Sequence, residues 1–180
     1  MIRFRYILPL AALLAGTIPG HAQAAKGDKD LWATVNICDT KRSPDRLGLR
    51  ARMPGNGTHQ RMYMRFVVQY RDGKAWKDLG GNGRSAWLYA GSALFKNREF
   101  GYTIPFKPDA GDRYLLRGLV RFVWRARHNR RGRVVTVVKR RATRLTSAGH
   151  RTSGAEPSGF SAATCTIEGP APDKRLLTTP

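Results

Sequence analysis

The side chains with the most chemistry to offer are arginines. From Arg113 to Arg151 the chain carries Arg113, Arg117, Arg121, Arg125, Arg127, Arg130, Arg131, Arg133, Lys139, Arg140, Arg141, Arg144 and Arg151, and no Asp or Glu interrupts them. A guanidinium is a planar fork of donors that can meet phosphate, sulfate or carboxylate two bonds at a time. Such a run can form a polyanion-binding surface, with Arg117, Arg121, Arg125, Arg127, Arg130, Arg131 and Arg133 as its candidate residues. The plainer reading is a solvated face that only keeps the chain soluble. Opposite charges that would neutralise such a face are missing, so the sequence leaves both readings standing.

Other chemistry is sparse. His59, His128 and His150 fall in expected loops, none at metal-ligand spacing with a cysteine or carboxylate, so no metal site and no cofactor are expected. Serine, histidine and aspartate are all present without a nucleophile-elbow pattern. Asp72, Asp78, Glu99, Asp109 and Asp112 sit mostly at turns, where aspartate is ordinary. Catalysis is not expected; the alternative is a secreted hydrolase with a site assembled from loop residues, and a third reading is a structural envelope protein without a specific ligand. Gly80-Gly81-Asn82-Gly83 fits neither a P-loop nor a dinucleotide fingerprint. Cys38 and Cys165 are an even pair in a chain that reads as exported, which predicts a disulfide between the first strand and the last.

Export is read from the N-terminus. Arg3 and Arg5 precede an apolar run from Ile7 to Ile18, and Ala22-Gln23-Ala24 is the small-x-small pattern of a signal peptide cleaved after Ala24. Pro9 and Pro19-Gly20 interrupt a run that would need about 20 apolar residues to stay as an anchor. No later stretch could span a membrane. Without Arg3 and Arg5 the mature chain keeps 31 basic against 12 acidic residues, a net charge of +19. That charge draws polyanions but does not specify a fold. The expected partner is an anionic polymer or an acidic protein, met by a secreted or envelope-associated monomer. Nucleic acid is the weaker target, because the outward strand positions lack interleaved aromatics for stacking bases.

Strands must position these arginines. In Tyr114 to Ala126 the apolar residues alternate with Arg117, Arg121 and Arg125 at a period of two. A helix would also gather those arginines at four-residue spacing, but Gly118 and the β-branched and aromatic content favour a pleated strand. His128 to Gly132 reads as the turn, with Asn129 and Gly132 able to take positive φ. Val134 to Val138 reads as the returning strand. Further strands are expected over Leu31–Cys38, Leu47–Met53, Met62–Tyr70, Ala75–Leu79, Phe100–Phe106 and Ser161–Ile167, with a shorter one at Ser85–Tyr89. The stretch from Thr146 to Gly159 reads as a mobile loop. The expected organisation is a signal peptide over residues 1–24, a flexible mature terminus over 25–30, one domain over 31–168 and a flexible tail over 169–180.

Met64-Arg65-Phe66-Val67-Val68-Gln69-Tyr70-Arg71-Asp72-Gly73-Lys74-Ala75-Trp76-Lys77-Asp78-Leu79 resembles the middle strands of fibronectin type III and related immunoglobulin-like domains, and Tyr114 resembles their corner tyrosine. The resemblance spans about the middle half of the chain and rests on packing motifs. It implies an all-β, antiparallel immunoglobulin-like or fibronectin type III-like β-sandwich of 7–8 strands, and no particular ligand. The cysteines depart from the antibody pattern, lying on the first and last strands.

Overall fold

The computed structural model describes residues 29–94 and 97–171. The expected signal peptide, part of the expected flexible mature terminus and most of the expected C-terminal tail lie outside them. The described chain is all-β apart from one 3₁₀ turn at Gly81–Gly83. Its nine strands are β1 (Trp32–Cys38), β2 (Arg46–Pro54), β3 (Arg61–Asp72), β4 (Ala75–Asp78), β5 (Leu88–Ser92), β6 (Asn97–Pro105), β7 (Arg113–Arg130), β8 (Arg133–Leu145) and β9 (Thr164–Glu168). Every pairing between strands is antiparallel.

One sheet has the order β1-β2-β6 and the other β4-β3-β7-β8. β5 joins β4 on the outer side of β3, and β9 joins β8 on the outer side of β7. The alternation read from sequence puts Leu49, Ala51 and Met53 of β2 against Met62, Met64 and Phe66 of β3 and Val120, Phe122 and Trp124 of β7, all buried in one shared core. Two antiparallel sheets around a single core is an arrangement consistent with a β-sandwich. Trp124 meets the hydrogen-bonding demand of its buried indole by donating to the Pro54 carbonyl at 3.1 Å.

β1 departs from simple alternation. Its pairing with β2 shifts between Val35 and Ile37, so Asn36 is an extra residue. Strict alternation would put Cys38 with Trp32 and Thr34, away from the core. The bulge reverses the phase, and Cys38 packs against the core and bonds Cys165 of β9 with Cα atoms 5.5 Å apart. Gly48 faces the bulge, where a Cβ would come within 2.7 Å of Ile37 Cβ.

The stretch from Thr146 to Gly159, expected to be mobile, is fastened along the free edge of β1. Ser147 N–H donates to the Ala33 carbonyl, Asn36 Nδ2 to that of Gly154, and Glu156 N–H to that of Asn36. Farther along, Val35 and Ala162 bond to each other through their backbones. The Glu156 carboxylate accepts from Thr40 and Ser43, and these hydroxyls hold it below the usual carboxylate range. A polar composition signals a loop, but here the polar groups find partners contributed by distant strands.

Candidate anion-binding face

The site is built on the outer face of the larger sheet. Successive side chains of β7 alternate sides, so Arg117, Arg121, Arg125 and Arg127 share the face opposite the core. Register with β3 sets Gln69 beside Arg117, Arg65 beside Arg121 and Arg61 beside Arg125. On the other side, Arg141 of β8 lies beside Val123.

The hairpin tip differs from the expected one. β7 runs straight through His128 and Asn129 to Arg130, and the turn is only Arg131-Gly132, with φ of 51° and 76°. This is a two-residue turn with left-handed residues at both centres, whose twist matches that of the strands. Asn129 therefore stays in the strand opposite Val134. Arg130 and Arg133 form the last pair, on the face opposite Arg127, and only Arg131 occupies the tip. The arginine row accordingly ends at Arg127 rather than continuing into the turn.

The face also holds the aromatics that the sequence reading did not find. Arg117 lies 4.2 Å from the ring centroid of Trp76, with Arg71 at 5.5 Å from the same ring. Arg125 is 4.6 Å from Tyr63 and 5.4 Å from Trp87, while Arg61 is 4.7 Å from Tyr89 and Arg65 5.7 Å from Trp87. Tyr63 alternates with Met62 and Met64 on β3, a signal available in the sequence. Trp76, Trp87 and Tyr89 reach the face only because β4, β5 and the segment before β5 fold back beside β3. Beneath this layer Val67 and Val123 are 1% and 4% exposed although they point away from the core.

These contacts divide the row. Arg117 and Arg125, expected to face water, are half-buried. Arg117 Nε donates to Gln69 Oε1 at 2.8 Å, Gln69 Nε2 to Asp78 Oδ1 at 2.9 Å, and Arg84 Nη2 to Asp78 Oδ2 at 3.0 Å. The Gln69 bond, followed by Arg84, holds the Asp78 carboxyl below its ordinary range, and burial lowers the pKa of Arg117. Arg121 and Arg127 remain exposed, as do Arg130, Arg131, Arg133 and Arg141. Among the described residues, none of these six has a carboxylate at ion-pairing distance. The acids are engaged elsewhere: Glu99 lies between Arg50 and Arg52, Asp72 meets Lys77, and Glu168 meets Arg113.

Where the face reaches the hairpin root, an open groove of about 860 Å³ is lined by His59, Arg61, Tyr89, Arg127, His128 and Lys139. Its two histidines are exposed loop and hairpin residues. His150 differs from the expected solvated histidine. Its ring stacks on Trp32 at 4.6 Å between centroids, Ser147 Oγ lies 3.0 Å from its Nε2, and burial pushes its pKa down. Among the described residues no carboxylate bonds this imidazole, and no group of three or more side chains could hold a metal ion.

The chain matches no family model, no curated protein and no solved structure. Among the described residues no helix is long and apolar enough to cross a membrane.

Proposed function

We propose that the chain is a secreted, non-catalytic immunoglobulin-like module that binds an anionic polymer through the outer face of its larger sheet. The observation that carries this reading is the set of exposed guanidiniums without carboxylate partners, of which Arg121, Arg127 and Arg141 share the outer face of the sheet. Aromatic stacking immobilises their neighbours Arg61, Arg65 and Arg125, so the face enters binding already ordered. The groove at the hairpin root adds Lys139 and two imidazoles for a charged repeat unit.

The strand orders support the immunoglobulin-like part. β1-β2-β6 facing β4-β3-β7-β8 follows the pattern in which strands A, B and E oppose C′, C, F and G. Tyr114 keeps a short upstream bond, its hydroxyl donating to the Asp112 carboxylate at 2.7 Å, where the corner tyrosine of such folds bonds backbone. The Cys38–Cys165 disulfide and the apolar N-terminus ahead of Ala22-Gln23-Ala24 support export.

The test is binding of heparin and of polyphosphate over a range of salt concentrations. Binding should weaken steeply with salt, and Arg121→Glu/Arg127→Glu/Arg141→Glu should abolish it with the fold retained. The control Lys29→Glu/Lys41→Glu/Lys107→Glu reverses the same number of charges elsewhere. An equal loss in the control would reduce the effect to net charge and remove the site.

A further inference from the structure

The β7–β8 hairpin is longer than the sheet that carries it. Pairing of β3 with β7 stops at Arg61 and Arg125, so Ala126 to Val137 projects as a two-stranded arm. β8 is the last strand on its side of the sheet along this arm. Among the described residues, no backbone group from Val134 to Lys139 bonds to anything beyond β7.

The turn fixes which groups are free. With a two-residue turn, Arg130 and Arg133 exchange backbone bonds, and so do His128 with Val135 and Ala126 with Val137. The intervening pairs do not, so the N–H and C=O groups of Val134 and Thr136 point away from β7 to the open edge. The five residues Val134-Val135-Thr136-Val137-Val138 are β-branched throughout, and Val134 is 67% exposed. A bulge between Trp124 and Arg125 makes Lys139 the extra residue and ends the regular edge there.

An edge of this kind is a template for another strand, and its charge selects the partner. Arg127, Arg131, Arg133, Lys139 and Arg141 surround it, and β7 and β8 contain no acid. A second copy would set the same cations against themselves. We propose that residues 133–138 of β8 form a docking edge for an extended acidic protein segment, which joins the sheet as a further antiparallel or parallel strand. Backbone bonds at Val134 and Thr136 supply the register, and alternating Asp or Glu side chains, which all fall on one side of the added strand, meet the arginines on one face of the arm. This edge shares Arg127, Lys139 and Arg141 with the polymer face and differs from it in using the backbone groups of β8, which the polymer face does not need.

The probe is a blocked decapeptide alternating Val with Asp or Glu, compared with its Lys counterpart and with a copy N-methylated at every residue, which blocks both of its edges. The acidic peptide should bind, weaken with salt and protect the Val134 and Thr136 amides from hydrogen exchange. N-methylation should weaken binding about tenfold or more, since it removes two or more backbone bonds. Thr136→Pro removes an outward donor without changing charge and should weaken binding, whereas Thr136→Val should not. Arg121→Glu, on the polymer face but outside the arm, should leave peptide binding nearly unchanged. Equal binding of the N-methylated peptide would overturn strand addition, and it needs no variant to fold. Concentration-dependent dimerisation abolished by Thr136→Pro would overturn the acidic partner in favour of a second copy.

Discussion

Arg117 lies with its guanidinium carbon 4.2 Å from the ring centroid of Trp76, so a strand-borne cation packs on a ring delivered by a different strand. A cation over an indole face contributes about 0.5–1 kcal/mol when exposed and about 2 kcal/mol when desolvated. Trp76 also covers Arg71. Trp76→Ala should lower stability by about 1–3 kcal/mol in urea unfolding, and Trp76→Phe should recover part of the loss.

Arg117 and Arg121 occupy the same face of β7 and read alike in sequence. Arg117→Glu breaks the bond to Gln69 and places a carboxylate near Asp78, so it should destabilise by about 1–3 kcal/mol. Arg121→Glu, on an exposed side chain that acts on Asp78 only through its charge, should cost less, no more than about 1 kcal/mol. Equal losses in the two variants would remove the distinction between packed and free arginines.

The disulfide between Cys38 and Cys165 should leave no reactive thiol in the denatured, unreduced protein. Removing it with Cys38→Ser/Cys165→Ser should cost about 4–5 kcal/mol in the chain-entropy account of a loop this long. Gly48→Ala should weaken the same corner by about 1–3 kcal/mol, because the added methyl meets Ile37 at the bulge. Thiol titration and urea unfolding check both.

Burial lowers the His150 pKa from its ordinary value of 6.5 in the folded state. As pH falls through 6.5, the unfolded chain binds a proton that the folded chain does not, so stability declines until the folded-state pKa is passed. Above that window His150 contributes no pH dependence. His150→Gln should flatten this part of the stability profile, as read by urea unfolding across the mildly acidic range. An unchanged slope would mean that other groups produce it.

The period-two alternation of β2, β3 and β7 was legible in the sequence because each strand has one apolar and one polar side, and that pattern follows from the chain alone. So was the cysteine pair, whose partnership needs only an even count and an oxidising compartment. The face on which Cys38 falls was not legible. A bulge inserts a residue to suit the opposite strand, and the glycine that accommodates it is in β2. The hairpin turn was misplaced because Asn129 and Gly132 both tolerate positive φ, and only the pairing of β7 with β8 chooses Arg131-Gly132. The split of the arginines into packed and exposed was decided by tertiary structure alone. Trp76, Trp87 and Tyr89 come from strands and connections distant in sequence, and a side chain's exposure depends on what the fold lays over it. The sequence determined that β7 would carry cations on one face. Which of them stay available to a ligand depended on the strands that came to lie beside it.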